Sequence, residues 1–388
     1  MRRIPRAVIA GAVAFVVTLI LSRGRSTPYD NYVLLARALL EGHAWIDWPG
    51  PYIDALFYHG HYYVIEAPLP ALLLLPVVAI FHDANQTLLA VMLAAVAIGA
   101  AWELGERYGL SPATNAWLCA FLLAGTDLLW CAMLGDVWFI AHVSAACFTL
   151  LALVELSGKR RGWLVALWAA CAAESRFTLL LALPVYAYLL ATDPDRPFVV
   201  SPRARRALLS FGGILVPIAV LWALYNEARW GTWSDIGYTA WYHQDQVGMP
   251  TGSPFRLQYL GYQLQSFFVQ GPSWIRTYPW VVPGMSGVAL TWTSPALILA
   301  FFASRPARLV WALWAAALLV ALPNFLYYVN GFAQFGMRHA LDFEPFLIAL
   351  MMLAVRERLP RWGMALIVYS VLVGLWGCWF WSAFVRSG

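Results

Sequence analysis

Charge is scarce in this sequence, and lysine is almost absent. Only 12% of the 388 residues are charged, and Lys159 is the single lysine. Because a soluble domain carries about a quarter charged residues, this shortage excludes an ordinary water-soluble globular protein. Hydrophobic residues make up 62% of the chain, in apolar runs of about 16 to 23 residues that recur along its whole length. This pattern predicts an all-α polytopic membrane protein.

Cysteine is sparse as well, and its spacing forms no pattern. The five cysteines lie in or near apolar runs, which excludes a disulfide framework and a cysteine-based metal centre. His59 and His61 in "YHGHYY" are explained by a hairpin turn around Gly60. No third ligand is in register with them, so we expect no metal site there. The sequence identifies no cofactor and leaves a divalent metal requirement open. It contains no low-complexity tract and no clear internal repeat.

The basic residues are grouped, and their grouping predicts the topology. The clusters "MRRIPR", "GKRRG", "DRPFVVSPRARR", "SRPAR" and "RERLPR" mark the cytoplasmic side by the positive-inside rule. The net charge of +5 is therefore a topology signal and does not indicate nucleic-acid binding. The first span places residues 23–67 outside, and four apolar segments lie between them and "GKRRG"; four crossings would return the chain to the outside and place that cluster there. Residues 68–82 are short and contain three prolines, so we expect them to lie along the outer face without crossing.

The remaining segments give about eleven transmembrane helices, with the N-terminus cytoplasmic and the C-terminus outside. The spans at 162–174 and 341–355 are too short for a full crossing, so we expect a hollow on the outer side. Residues 1–388 are predicted to form a single membrane domain. Residues 23–85 are its first outer loop, with amphipathic juxtamembrane helices, and residues 228–286 are an aromatic outer cap. The other spans are expected near 5–22, 86–105, 112–134, 137–157, 176–192, 206–227, 287–303, 308–329 and 362–384.

Three acids fall on the predicted outer face. Asp30 opens a short amphipathic helix, and helix capping is the alternative explanation for it. Glu66 precedes residues 68–82, where a carboxylate at the edge of hydrocarbon is costly unless it is partnered or used; it too could cap a helix. Asp136 stands at the outer start of a span, where a simple N-cap is the alternative. His142, inside that span, is interpreted as a hydrogen-bonded core histidine.

Arginines fall on the same predicted face. Arg176 lies between two short spans, and a local pair with Glu174 is the alternative explanation for it. Arg338 and His339 stand just before another short span. Arg338 can bind a phosphate in bidentate fashion or pair with Asp342 at the i+4 position. Acids and arginines from five chain segments thus meet one membrane face, which indicates an anionic lipid substrate entering from the outer leaflet.

The first outer loop resembles that of a known family. The runs "YDNYVLLARALLEGHAWID" and "YHGHYYVIEAPLPALLLLPVVAIF" are similar to those of GT-C-fold glycosyltransferases, in particular bacterial relatives of protein O-mannosyltransferases and of the lipid A aminoarabinose transferase. Asp30 and Glu66 match two acids of that family. "LGDVWFIAHV" and "AAESRFTLLLALP" match further segments at Asp136 and Arg176. Two features differ: Ala67 replaces the family's Lys after the Glu, and the soluble C-terminal domain of many members is not present.

The resemblance implies a glycosyltransferase of the inner or plasma membrane that acts on its periplasmic or extracellular side. The donor would be a polyprenyl-phosphate sugar, and a carboxylate would act as general base on an acceptor hydroxyl. The acceptor (a glycan, a lipid or a protein) and the sugar are not identified. The base is Asp30, with Glu66 as the alternative. The substrate-binding residues implied are Asp136, Arg176, Arg338, His339 and Tyr63.

Two other classes of protein fit the same features. One is a transporter or flippase for lipid-linked sugars, which predicts mid-span charges and inverted repeats. The other is a non-catalytic subunit of an envelope-polymer complex. Convergence of Asp30, Glu66, Asp136 and Arg176 in one outer cavity favours the enzyme, whereas scatter favours the other two.

The topology is tested by cysteine accessibility in a background without the native cysteines. Cysteines at Lys159 and Arg203 should resist an impermeant maleimide added from outside, and cysteines at Asp30 and Trp241 should react. Cysteines at both ends of residues 68–82 should also react, because this segment is expected not to cross. Outside labelling at Lys159 would overturn the assignment.

Overall fold

Helices dominate the computed structural model, which describes residues 4–50, 55–192, 201–245 and 252–386. In the first half they are α1 (Arg6–Ser22), α2 (Asn31–Leu40), α3 (Leu69–Phe81), α4 (Gln86–Arg107), α5 (Pro112–Ala124), α6 (Leu128–Leu134), α7 (Val137–Leu156), α8 (Gly162–Ala173) and α9 (Leu183–Ala191). In the second half they are α10 (Pro202–Trp230), α11 (Gly237–Asp245), α12 (Leu260–Phe268), α13 (Leu290–Thr293), α14 (Ala307–Leu326), α15 (Glu344–Val355) and α16 (Arg361–Phe380).

Tighter turns extend or precede several helices. Segments of 3₁₀-helix occupy Phe177–Ala182, Leu257–Tyr259, Pro295–Phe302 and Arg338–Asp342, and a π-helical turn, Trp381–Val385, continues α16. The segment Phe177–Ala182 follows α8 and leads into α9, and the segment Arg338–Asp342 leads into α15. These two segments carry polar side chains of the site described below.

Among the described residues, five helices are long and apolar enough to cross a membrane: α4, α7, α10, α14, and α16 with its π-helical turn. The pair α5–α6 is bent by 50° and gives a sixth if it is counted as one span. The other apolar helices, α8 and α15 among them, are shorter. The prediction of a multi-pass α-helical membrane protein is therefore confirmed. The count of about eleven spans stays a prediction, because it depends on several of these short helices crossing.

The first outer loop contains the two helices that the sequence predicts. Helix α2 begins directly after Asp30 and buries Tyr32, Val33 and Leu35. Helix α3 has proline in its first turn and a further proline, Pro76, inside it. Its 13 residues extend about 20 Å, well short of a ~30 Å hydrocarbon core. This length is consistent with a helix that does not cross.

Two short hairpins complete the loops. Strand β1 (Leu56–Tyr58) pairs antiparallel with β2 (His61–Tyr63), and β3 (Ser273–Trp274) pairs with β4 (Val281–Val282). The β1–β2 turn consists of His59 and Gly60, both with positive φ, as a two-residue type I′ turn requires. The hairpin turn predicted around Gly60 is therefore confirmed.

Helix α7 lies at the centre of the bundle. In its most apolar stretch 83% of the residues are buried, compared with 6% for α10. Helix α7 packs against α4 and α8, and α10 packs against α8 and α9 at the periphery. The N-terminal end of α7, which begins after Asp136, therefore faces other protein elements on several sides. The candidate site lies at this end.

Candidate active site

A cavity of about 690 Å³ lies at the N-terminal end of α7. We call it the central cavity. Five residues predicted to form the site line it: Glu66, Asp136, Arg176, Arg338 and His339. Four come from separate segments of the chain, and His339 adjoins Arg338. Its wall also includes Tyr29, Trp138, His142, Tyr238, Trp241, Tyr327, Tyr328 and Arg386.

Hydrogen bonds to distant helix ends hold the first outer loop over this cavity. The amide of Leu69 donates to the carbonyl of Glu174 at 2.9 Å, and the amide of Val137 donates to the carbonyl of Tyr29 at 3.1 Å. The buried Gln86 side chain donates to the carbonyls of Tyr29 and Gly135. These bonds satisfy backbone groups that would otherwise be buried without partners. They also fix the position of Glu66 along the helix bundle, because Glu66 lies only three residues before Leu69.

Asp136 is not a simple N-cap. It precedes α7, but its side chain makes no capping hydrogen bond to that helix. Instead the buried carboxylate accepts hydrogen bonds from the hydroxyl of Thr27 and from the guanidinium of Arg386. Arg386 thus joins the C-terminal segment to the start of α7. Arg386 is not among the predicted site residues. The available signal was its position on the predicted outer side, where the positive-inside rule disfavours a basic residue.

A buried carboxylate, Asp342, organises the base of the cavity. His142 Nδ1 lies 2.7 Å from Asp342 Oδ1, and the hydroxyl of Thr178 donates to Oδ2 at 2.8 Å. Arg176 Nε donates to Oδ2 at 3.3 Å and Asn324 Nδ2 at 3.4 Å. Four donors from three regions of the chain thus surround one carboxylate, which we call the Asp342 cluster.

Arg176 belongs to this cluster and has no local partner. Its salt bridge is to Asp342, so a self-contained pair with the neighbouring Glu174 is wrong. Its guanidinium also lies 3.2 Å from His339 Nδ1 and 3.5 Å from the hydroxyl of Tyr238. The side chain is 13% exposed, toward the cavity. Arg176 is therefore fixed in orientation while part of its surface remains accessible.

Arg338 has a different environment. It is only 8% exposed, and within the described residues it forms no salt bridge. The i+4 pair with Asp342 is therefore not formed, because Arg176 takes that carboxylate. Arg338 donates one long hydrogen bond, 3.4 Å, to the carbonyl of Phe332 and lies 5.3 Å from the centre of the Phe139 ring. Its Nε has no protein acceptor in the described part of the chain. A buried cation without an anionic partner is costly.

Asp30 and Tyr63 do not line the central cavity. Asp30 is half-buried at the start of α2, and its side chain makes no capping bond. Burial raises the pKa of this carboxyl, with the charge of Asp83 adding to the increase. A helix N-terminus by itself would lower the pKa of a carboxyl group, so desolvation has the larger effect on Asp30. Tyr63 packs its ring 5.0 Å from the ring of Trp230 in a separate apolar cluster.

A second cavity of about 360 Å³ adjoins the central one. The two share Arg176, Tyr238, Tyr327 and His339, so these side chains form a common wall. The second cavity adds aromatic and polar groups, among them Trp222, Phe255, Asp235 and Asn324. No group of three or more His, Cys, Asp or Glu side chains capable of holding a metal ion occurs in the described ranges.

We expect Asp342 to stabilise the folded protein through its buried ion pair with Arg176. Asp342→Asn removes the charge that balances the buried Arg176, and breaking a buried pair costs about 3–5 kcal/mol. We expect a lower thermal unfolding midpoint in detergent for this variant. The double variant Asp342→Asn/Arg176→Gln should be less destabilised, because no buried charge is left unpaired. An Asp342→Asn protein that unfolds at the wild-type temperature would contradict this role, and the exposed Asp83→Asn serves as control.

Comparison with known proteins identifies the fold. No protein-family model and no curated protein matches this sequence. Among solved structures, the chain resembles ArnT from Cupriavidus metallidurans, determined bound to undecaprenyl phosphate. The TM-score is 0.53 at 15% sequence identity, and the match covers 95% of this chain and 62% of the ArnT chain. The chain thus spans less than two thirds of the length of that protein. The match confirms the resemblance seen in the sequence: this membrane protein has a GT-C-like fold.

Proposed function

We propose that the protein is a glycosyltransferase that moves a sugar from a polyprenyl-phosphate donor to an acceptor hydroxyl at the outer face of the membrane. One observation supports the proposal most strongly: Arg338, a buried arginine that forms no salt bridge within the described residues, lines the same cavity as Glu66 and Asp136. The ArnT structure of the same fold was determined with undecaprenyl phosphate bound, which supports a polyprenyl-phosphate donor here.

The donor phosphate would bind between Arg338 and Arg176. Both guanidinium groups line the central cavity, and Arg338 has unused hydrogen-bonding capacity there. Guanidinium groups bind phosphate oxygens in a bidentate manner, and such bonds strengthen as the leaving phosphate gains charge. Arg338 and Arg176 would thus supply the phosphate contact that the resemblance assigns to the family's Lys, which is Ala67 in this sequence. His339, 3.2 Å from Arg176, would help to orient it.

The geometry favours Glu66 over Asp30 as the general base. Glu66 lines the central cavity and is buried, whereas Asp30 lies outside the lining. A general base must reach the proton that it removes, directly or through one water. Asp30 stays the alternative, because the neighbouring Tyr29 lines the cavity and a small movement of α2 would bring Asp30 closer.

The reaction follows from these positions. The Glu66 carboxylate accepts the proton of the acceptor hydroxyl, and the oxygen attacks the anomeric carbon of the sugar. The bond between that carbon and the phosphate oxygen breaks, and the phosphate retains the electron pair. Arg338 and Arg176 stabilise the resulting charge. Aromatic side chains of the lining, such as Tyr238, Trp241 and Tyr327, provide flat surfaces for sugar rings.

The alternative classes are less well supported. Convergence of Asp30, Glu66, Asp136 and Arg176 in one cavity favours an enzyme over the other two classes. Three of these residues, Glu66, Asp136 and Arg176, line one cavity. A flippase is expected to place charges along a path through the membrane. Here the charged lining residues gather at one end of α7, close to its first residue, Val137. This placement favours chemistry at a surface over transport.

The base is tested by comparing Glu66→Gln with Asp30→Asn. Each change keeps the side-chain shape and removes the carboxylate. Loss of a general base slows a reaction by about a hundred- to ten-thousandfold, so we expect this loss for Glu66→Gln and near-normal turnover for Asp30→Asn. Sugar transfer from lipid-linked donor is measured beside the folded yield of each variant. The reverse pattern would assign the base to Asp30.

Phosphate binding is tested with undecaprenyl phosphate and the purified protein. Arg338→Ala should weaken binding about ten- to a hundredfold, because a charge-assisted hydrogen bond contributes about 1.5–3 kcal/mol. Arg338→Lys keeps the charge but loses the bidentate geometry and should fall between wild type and Arg338→Ala. Arg276→Ala, which removes an exposed arginine of the outer cap, is the matched control. Unchanged binding in Arg338→Ala would exclude this contact.

A further inference from the structure

A third cavity, about 390 Å³ in volume, lies on the other side of Arg386 from the central cavity. We call it the arginine cavity. It is formed by the chain turn that ends α1 and by the C-terminal segment after α16. Arg23, Arg25 and Arg386 line it together with the hydroxyl-bearing Ser22 and Ser26. No acidic side chain is among its lining residues in the described part of the protein.

The charge of this cavity is not balanced by the protein. Arg23 and Arg25 are exposed, and in the described ranges neither forms a salt bridge. Arg386 is the one arginine of the three with an acidic partner, Asp136. All three lie on the predicted outer side, where the positive-inside rule disfavours arginine. Arginines from both ends of the chain thus lie at one place, on the side that the basic clusters of the sequence avoid.

The shape and chemistry of the cavity suit one class of ligand. Guanidinium groups and hydroxyls are the side chains that bind phosphate oxygens. The wall also contains apolar side chains, Leu21, Met133 and Leu134, which can contact the first carbons of a lipid chain. A free sugar would leave Arg23 and Arg25 without an anionic partner, whereas a phosphate group offers anionic oxygens to both.

We propose that the arginine cavity binds a phosphate group at the outer surface of the membrane, separate from the donor phosphate in the central cavity. The phosphate belongs to a lipid headgroup or to a soluble phosphate compound. This assignment does not depend on the proposed transferase reaction. It does imply communication between the two cavities, because Tyr29, Val385 and Arg386 belong to both walls. A phosphate bound here competes with Asp136 for Arg386.

The test uses the full-length protein and native mass spectrometry, with short-chain phosphatidylglycerol and inorganic phosphate as probes. The variant is Arg23→Ala/Arg25→Ala. The control is Arg205→Ala/Arg206→Ala, which removes two exposed arginines at the start of α10, on the predicted cytoplasmic side. Both variants lower the net charge by the same amount. We expect the first to lose at least tenfold in affinity for the bound probe, and the control to bind like wild type.

The two probes distinguish the sources. Binding of phosphatidylglycerol without inorganic phosphate identifies a lipid headgroup, and binding of both identifies the phosphate group itself as sufficient. Short-chain diacylglycerol, which carries no phosphate, reports binding that depends on the acyl chains alone. Equal affinity of wild type and Arg23→Ala/Arg25→Ala for every probe, or equal loss in the control, overturns the proposal. Donor binding through Arg338 is measured separately, so failure of one proposal leaves the other intact.

Discussion

One buried carboxylate, Asp342, connects the elements that build the site. It accepts hydrogen bonds from α7 through His142, from the segment after α8 through Arg176 and Thr178, and from α14 through Asn324. A charge in this position is costly unless its hydrogen-bonding capacity is filled. The elements must therefore meet in one arrangement for the carboxylate to be satisfied. The position of Arg176 at the cavity wall follows from this constraint.

Arg338, in contrast to Asp342, has few partners within the protein. Asp342 has more donors than any other side chain of the site, while the neighbouring Arg338 has one weak hydrogen bond and an aromatic ring. Arg176 is thus paired with an internal carboxylate, whereas Arg338 forms no salt bridge within the described residues. Arg176 is held by its ion pair, and Arg338 has the more to gain from an added anion. Such a division suits a site that binds and releases a phosphate.

The sequence predicted the fold class, and five of the residues that it singled out line one cavity, but it did not predict how their side chains pair. The fold class follows from apolar runs and basic clusters, which are features of local composition and can be read directly from one sequence. The partner of Arg176 is Asp342, 166 positions away, and no local pattern favours it over the adjacent Glu174. Asp30 matched the family at the level of a motif. The direction of its side chain depends on how α2 packs, and a short sequence motif gives no information about that packing. The i+4 spacing of Arg338 and Asp342 allows an ion pair that is not formed, because Asp342 pairs with Arg176.

The hydrogen bond from Leu69 to Glu174 has a consequence for how the protein is made. Glu66 reaches its final height only when the chain around Glu174 exists and has entered the membrane. At about 5–20 residues per second, the ribosome needs about 5–20 s to synthesise the intervening chain. On the predicted topology, the first outer loop is translocated during that time without its partner. The loop that carries a proposed catalytic group would then be assembled late, although it is synthesised early.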